Sequence, residues 1–505
     1  MNEGARVGRA GRAAAAGAVA TVLAVLVAAT APTAAAARPT PSPGQQGRHH
    51  SGDDADGARH PTGDNRNDGR GGKGTAGRHR ATPVKGPVLA ATGTAADPAG
   101  APTGPGVQNA LGTSVRDSSL GTLNFAVADA ATGKLLYGSG ENTPATPAST
   151  TKLATAVAAL ALIPPTTRLA TTVVRGAEPG TITLVGGGDP TLTVLPADQI
   201  RIGGQPVDAD TAPASLADLA SRTAAALRAA GTTTVRLGYD TSLYTGPLLH
   251  KEHDATNIAA VTPLMVDEGR IDPKSPDEAP ARVFDPAGQA AAALADRLRA
   301  EGITVTGTPA RSTAPVGAAV LAAVQSPTVP RLIERLLTTS DNTLAEAVAR
   351  QVAVAAHRPA SFEGAAAATV QALERLGVPT AGVVLNDGSG LSQDNRIPPI
   401  TLTQLLARAA APDHPELRPV LTGLPVAGFT GTLANRFGAR SGAAEAAGIV
   451  RAKTGTLSGV ATLAGTVVDA DGRVLAFALM SRTSGGDARA AVDRIVARIA
   501  ACGCR

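Results

Sequence analysis

Ser149 and Lys152 stand three residues apart in Ser149-Thr150-Thr151-Lys152, the only Ser-x-x-Lys in the 505-residue chain. A serine hydroxyl is a weak nucleophile until a neighbouring base takes its proton. A lysine amine serves as that base only when desolvation or nearby positive charge keeps it neutral. The pair therefore suits acyl transfer without a histidine, provided hydroxyl and amine share one face. The residues that follow supply that condition. Leu153, Ala156, Val157 and Leu160 recur at helical spacing and Pro164-Pro165 ends the segment, so Ser149 is expected at or just before the first turn of a helix. The positive end of that helix would point at the attacked group. Such a motif arises by chance about once or twice in a chain of this length at average composition. Read alone, it is an N-capped helix with a surface lysine. Lysine is scarce here, however, at seven of the 46 basic residues.

Two further stretches occur once each, in order along the chain. Ser340-Asp341-Asn342 interrupts a helical pattern: Leu332, Leu336 and Leu337 precede it, and Leu344, Ala347 and Val348 follow. A turn between two helices is expected there, facing outward from both. Lys453-Thr454-Gly455-Thr456 lies ahead of two strand patterns, Val460 to Val468 and Val474 to Met480. Together the three motifs resemble those of the penicillin-binding proteins and serine β-lactamases, S-x-x-K, S-D-N and K-T-G. The resemblance implies a role for each residue. Ser149 is the nucleophile and Lys152 its base. Ser340 relays the proton to the leaving amine, and Asn342 donates to the substrate's peptide chain. Lys453 supplies a cation that keeps Lys152 neutral and attracts a terminal carboxylate, which Thr454 also binds. Gly455 lets substrate lie against the strand, and the backbone N–H groups of Ser149 and Thr456 form the oxyanion hole.

Spacing narrows the resemblance. Ser340 follows Ser149 by 191 residues and Lys453 follows Ser340 by 113. A compact β-lactamase has a far shorter first interval. The long one is similar to the class C low-molecular-mass penicillin-binding proteins, the D-alanyl-D-alanine carboxypeptidase/endopeptidases, which carry extra domains between the first two motifs. Gly187-Gly188-Asp189-Pro190, Asp240-Thr241-Ser242-Leu243-Tyr244, Asp387-Gly388-Ser389-Gly390-Leu391-Ser392 and Gly431-Thr432-Leu433 resemble the same family, over roughly residues 108 to 500. The expected fold is α+β: a transpeptidase-like domain, an antiparallel sheet with helices, from 106–165 plus 326–505. Between its first two motifs it carries a large inserted α/β region, 166–325, where short β-like runs alternate with Ala-rich helices. The implied enzyme is a serine-type D-Ala-D-Ala carboxypeptidase, with endopeptidase activity as the family's second option, acting on peptidoglycan stem peptides and trapped by β-lactam antibiotics. Its rivals are a β-lactamase and a wall-binding scaffold with vestigial motifs.

The rest of the chain speaks to location. Arg6, Arg9 and Arg12 precede an apolar run from Ala13 to Thr30, and Ala34-Ala35-Ala36-Ala37 would suit signal peptidase. Residues 1–37 are therefore expected to be a secretory signal peptide, with an uncleaved membrane anchor as the alternative. The bulk of the chain is expected outside the cytoplasm, secreted or associated with the cell wall. Residues 38–105 are low in complexity, without hydrophobic periodicity until Val88, and read as a disordered tether with four of the eight histidines. The net charge of +5 comes from these two segments, because acidic and basic residues balance after residue 102. That balance removes the argument for nucleic-acid binding, and only weak membrane or wall association is expected. No metal site or cofactor is expected. Cys502 and Cys504 read as a terminal staple or a pair of exposed thiols.

Overall fold

The computed structural model describes residues 100–505 apart from 203, 278 and 484–486. The expected signal peptide and nearly all of the expected tether lie outside the described residues. The first helix begins inside the stretch read as tether. Thr103 caps α1 (Gly104–Leu111), its hydroxyl accepting the Gly106 N–H at 3.0 Å, with Pro105 in the first turn. The Thr103 N–H donates to the Cys504 carbonyl at 2.6 Å. Cys502 and Cys504 are bridged to each other and buried, so the reading as exposed thiols is set aside.

In chain order, β1 (Thr122–Asp129) and β2 (Leu135–Ser139) form a hairpin, and α2 (Thr151–Leu162) follows. Next come β3 (Arg168–Arg175), β4 (Thr181–Val185), the short pair β5 (Arg201–Ile202) and β6 (Gln205–Pro206), α3 (Leu216–Ala229), β7 (Thr234–Asp240), α4 (Pro286–Ala300), β8 (Thr304–Val305), β9 (Ala310–Arg311) and β10 (Val320–Thr328). The helical part comprises α5 (Val329–Thr339), α6 (Asn342–Ala355), α7 (Phe362–Arg375), α8 (Pro399–Ala410) and α9 (Pro419–Thr422). Then β11 (Val450–Leu457), β12 (Val460–Val468), β13 (Val474–Arg482) and α10 (Ala488–Ala500) close the chain.

The last three strands join the first hairpin in one antiparallel sheet, in the order β11-β12-β13-β1-β2. Both faces are covered, and the period of two along β13 shows how. Ala476, Ala478 and Met480 face a core shared with α2, α5, α6 and α8. Leu475, Phe477 and Leu479 face the opposite core, shared with α1 and α10. The second sheet, in the order β10-β3-β4-β7-β8 with β9 also on β7, is mixed. Its parallel pairs, β4 with β7 and β7 with β8, need crossovers, which α3 and α4 supply. Leu219, Leu227, Leu294 and Leu298 from those helices pack on Ile182, Leu184 and Val235. The architecture is thus α+β, with an α/β region between the Ser149 helix and the Ser340 turn.

Residues 241–285 belong to neither sheet. They run mostly without regular secondary structure along the helices, where Tyr244, Ile258 and Val261 pack on Ala360 and Phe362. Arg350 of α6 fastens them. It is fully buried, donates to the carbonyls of Thr245 at 2.9 Å, Ala360 at 2.5 Å and Pro247 at 3.2 Å, and lies 4.2 Å from the centre of the Phe362 ring. A hydrogen bond to a charged group contributes about 1.5–3 kcal/mol, and an abandoned buried carbonyl adds its desolvation. Arg350→Ala is therefore expected to destabilise the protein by about 3 kcal/mol or more, read as a fall in the urea midpoint at constant slope.

Candidate active site

Ser149 sits half-buried in a single 3-10 turn, Ala148–Thr150, that leads directly into α2. Ala148 has φ of +48°, a conformation that a residue with a side chain adopts only when its surroundings hold it there. Those surroundings are close. The hydroxyls of Thr462 and Thr150 both donate to the Pro147 carbonyl, at 2.8 and 2.6 Å. Gly390, at φ +87°, lies so near that a Cβ would stand 1.9 Å from the Ala148 carbonyl oxygen. A Cβ on Gly455 would meet the Thr462 hydroxyl at 2.1 Å and the Pro147 carbonyl oxygen at 2.9 Å. The absent side chain of Gly455 thus admits β11 to the Ser149 turn, whereas the sequence reading assigned the space to substrate.

Lys152 is fully buried, and its amine touches three oxygens: Ser149 Oγ at 2.9 Å, Asn342 Oδ1 at 2.7 Å and the Ser389 carbonyl at 2.6 Å. A neutral amine has two N–H donors and one lone pair. Asn342 Oδ1 and the Ser389 carbonyl are acceptors only, so they take both donors, and the lone pair is left for the Ser149 hydroxyl proton. Burial lowers the pKa of Lys152 to about 8, against the opposing charges of Asp387, Glu346 and Asp341. Burial is the leading cause, one of the two that the sequence reading allowed; the charge of Lys453, to which the resemblance gave a part, is not among the causes.

The Ser340 turn does not face outward. Ser340 ends α5 in the left-handed conformation at φ 60°, Asp341 caps α6 by accepting the Leu344 N–H at 3.0 Å, and Asn342 is the first residue of that helix. Asp341 points inward and is clamped by Arg282 at 2.8 Å and Arg270 at 3.1 Å. Burial works to raise its pKa, but the two guanidinium groups outweigh it and hold the carboxyl well below the usual carboxylate range. Asn342 Nδ2 donates to the Asn257 carbonyl at 2.9 Å, which turns Oδ1 toward Lys152. One of its donors, expected to serve the substrate, is therefore engaged within the protein.

Lys453 is buried and donates to Ser340 Oγ at 2.7 Å and to the Thr454 carbonyl at 2.8 Å. Thr454 Oγ1 shares a 2.8 Å hydrogen bond with Thr432. Along β11 the Val450 carbonyl and the Ala452 N–H bond to the chain at 425–427 on the side away from β12. By the alternation of an antiparallel strand, the N–H groups of Thr454 and Thr456 point to that same edge. The structure thus forms two linked sets, Ser149 with Lys152 and Asn342, and Lys453 with Ser340, with Thr454 and Thr456 on the strand edge beside them.

Seven residues of this site went unassigned in the sequence: His250, Asn257, Arg270, Arg282, Glu346, Asp387 and Ser389. The 387–392 stretch was visible as a Gly-rich loop without a task. Its task is to present the Ser389 carbonyl. Glu346 accepts the N–H groups of Gly388 and Ser389 at 3.0 and 2.7 Å, and Asp387 accepts those of Gly390 and Ser392 at 2.8 and 2.6 Å. Among the described residues, His250, Glu346 and Asp387 bring metal-ligand atoms within 4.8 Å of one another. Their donor set does not suit an ion. The carboxylates already accept backbone N–H groups, and His250 Nε2 is hydrogen-bonded to Asp387 at 2.8 Å.

The sheet-and-helix fold around these motifs is that of a penicillin-binding protein. The crystal structure of penicillin binding protein 4 (dacB) from Haemophilus influenzae is similar over 76% of this chain and 98% of its own, with a TM-score of 0.60 at 22% identity. A model of the D-Ala-D-Ala carboxypeptidase 3 (S13) family matches residues 107–280 and 273–502. The chain is also 38% identical to carboxypeptidase DacB of Mycolicibacterium smegmatis, covering 80% of this chain and 85% of that protein. It is 38% identical to a carboxypeptidase of Mycobacterium tuberculosis over 81% of this chain and 87% of that one. The chain belongs to the D-Ala-D-Ala carboxypeptidase 3 (S13) family.

The clamp on Asp341 is open to measurement. Breaking a buried ion pair from one side costs about 3–5 kcal/mol, so Asp341→Asn is expected to lose that much stability at pH 7 in urea denaturation. A depressed carboxyl pKa gives stabilisation that is complete above the unfolded value and is lost only as pH falls through the folded one. The gap between wild type and variant is therefore expected to persist from pH 7 to pH 4.

Proposed function

We propose that this chain is an exported serine D-Ala-D-Ala carboxypeptidase that hydrolyses peptidoglycan stem peptides through an ester on Ser149 and is acylated there by β-lactams. The observation that carries the reading is the Lys152 amine, buried, 2.9 Å from Ser149 Oγ, with both its neutral N–H donors directed to other acceptors. Ser149 Oγ attacks the carbonyl of the penultimate D-Ala while its proton passes to Lys152. The resulting oxyanion is held by the N–H groups of Ser149 and Thr456. The C–N bond then breaks, and the terminal D-Ala leaves as its amine takes, through the Ser340 hydroxyl, the proton that Lys152 had gained, which returns Lys152 to its neutral form. Water attacks the ester as its proton passes to Lys152, and the C–O bond breaks as Lys152 hands that proton to Ser149 Oγ, which releases the shortened peptide and restores both residues. Lys453 and Thr454 receive the terminal carboxylate. The family's D-Ala-D-Ala specificity and its two mycobacterial carboxypeptidases favour a peptidase over a β-lactamase. Export rests on the arginines, apolar run and small residues of positions 1–37.

Mass spectrometry after benzylpenicillin is expected to show one penicilloyl group on wild type and none on Ser149→Ala; a stable adduct on the variant overturns the assignment. Because the base acts in its neutral form, the acylation rate is expected to rise with pH through about 8 and level off above it.

Carboxylate recognition is tested with a peptide ending in D-Ala-D-Ala and its C-terminal amide. Wild type is expected to prefer the free acid strongly. Lys453→Ala is expected to lose much of that preference, with kcat/KM on the acid falling by roughly thirty- to several-thousand-fold, the equivalent of a truncated charge contact of about 2–5 kcal/mol. Absence of any preference in wild type would move the endopeptidase reading ahead, in which the leaving group is a longer cross-linked chain.

A further inference from the structure

The two acceptors that orient Lys152 are both held from one short segment of the inserted region, His250 to Asn257. At its start, His250 is buried, with its ring edge-to-face against Phe362 at 5.3 Å between centres. Its Nδ1 accepts the Glu252 N–H at 3.0 Å, so the neutral ring carries its proton on Nε2 and donates it to Asp387 Oδ2 at 2.8 Å. Asp387 is the residue whose two oxygens gather the N–H groups of Gly390 and Ser392 and the side-chain amide of Asn395. Those bonds shape the loop that carries the Ser389 carbonyl to Lys152. At the end of the segment, the Asn257 carbonyl takes Asn342 Nδ2 and so turns Asn342 Oδ1 to the same amine. The segment between is a self-contained turn. Asp254 Oδ1 accepts the N–H groups of Thr256 and Asn257, and Asn257 Nδ2 returns to the Glu252 carbonyl at 2.6 Å.

We infer that His250 is a positioning residue for acylation: through Asp387 it fixes the Ser389 carbonyl, and by anchoring the 250–257 turn it fixes Asn342, so that the Lys152 lone pair is aimed at Ser149. The inference rests on the proposed roles of Ser149 and Lys152. The hydrogen bonds of His250 go to Asp387 and from Glu252, on the Lys152 side of the site, so its loss acts on the rate of bond formation and leaves recognition of the ligand's carboxylate alone. A misplacement of about 1 Å in such an arrangement costs on the order of a hundredfold.

The test compares His250→Leu, which keeps bulk and removes both hydrogen bonds, with His250→Gln, which keeps a donor for Asp387. For each, single-turnover acylation by a fluorescent penicillin gives three quantities: the fraction of protein that reacts, the limiting rate of that fraction and the half-saturating concentration. His250→Leu is expected to react about 10- to 100-fold more slowly at unchanged half-saturation, and His250→Gln to return to within about threefold of wild type. A purely structural role would lower the reactive fraction and the melting temperature while the limiting rate stayed that of wild type, and that result overturns the inference. So does His250→Gln being as slow as His250→Leu; should the Leu variant not fold, a Gln variant more than tenfold slow at wild-type melting temperature overturns it alone. Failure of wild type itself to be acylated on Ser149 would instead defeat the underlying functional reading.

Discussion

Keeping the Lys152 amine out of water is the constraint on which the rest of this structure depends. An ammonium group that is easily hydrated remains protonated at neutral pH and is useless as a base. Moving its pKa from 10.5 to about 8 corresponds to about 3 kcal/mol of disfavour for the charged form. The fold supports that cost by closing three elements around one side chain: α2 that bears it, the Asn342 end of α6 and the 387–392 loop. Asp387, Glu346 and Asp341 lie near enough to temper the shift, so the amine is neither fully cationic nor indifferent to protons. That balance is what a group must have if it is to take a proton in one step and give it back in the next.

The chemistry was legible in the sequence because it is concentrated in three short motifs whose local contexts, a helix start, an interhelix turn and a strand, show in the spacing of apolar residues. The framework was legible for the same reason. The unbroken apolar run from Val474 to Met480 and the helical spacing at Leu153 to Leu160 report burial directly. Residues 241–285 escaped because nothing periodic holds them. They are held by single side chains: Arg350 on the Thr245 and Pro247 carbonyls, Arg282 on Asp341 and the Glu268 carbonyl, His250 on Asp387. Such partners are adjacent in space and distant in sequence, and no pattern in one chain reveals them. The inward turn of Asp341 escaped too, since a helix cap and a buried ion pair look the same as letters.

This changes how the inserted region is viewed. Part of it, built on β3, β4, β7 and β10 with α3 and α4, has its own apolar core. The remainder reaches back and supplies Arg270, Arg282, His250 and the Asn257 carbonyl to groups around Ser149 and Lys152. Excising the whole insertion would remove both the clamp on Asp341 and the support of Ser389, so the region serves the site as well as its own core.

The order of strands in the antiparallel sheet has a consequence in time. β1, from residues 122–129, lies between β2 and β13, from residues 474–482, and the chain's last cysteine carbonyl binds Thr103 beneath α1. Contacts between such distant parts of a chain form late, because the intervening loop must be closed before they give anything in return. On a ribosome, β2 follows β1 at once, whereas β13, its other partner, is made long afterwards. The sheet that sets Lys453 beside the Ser149 turn therefore closes late in folding, after the apolar core of the region between β3 and β10 has all its residues in place.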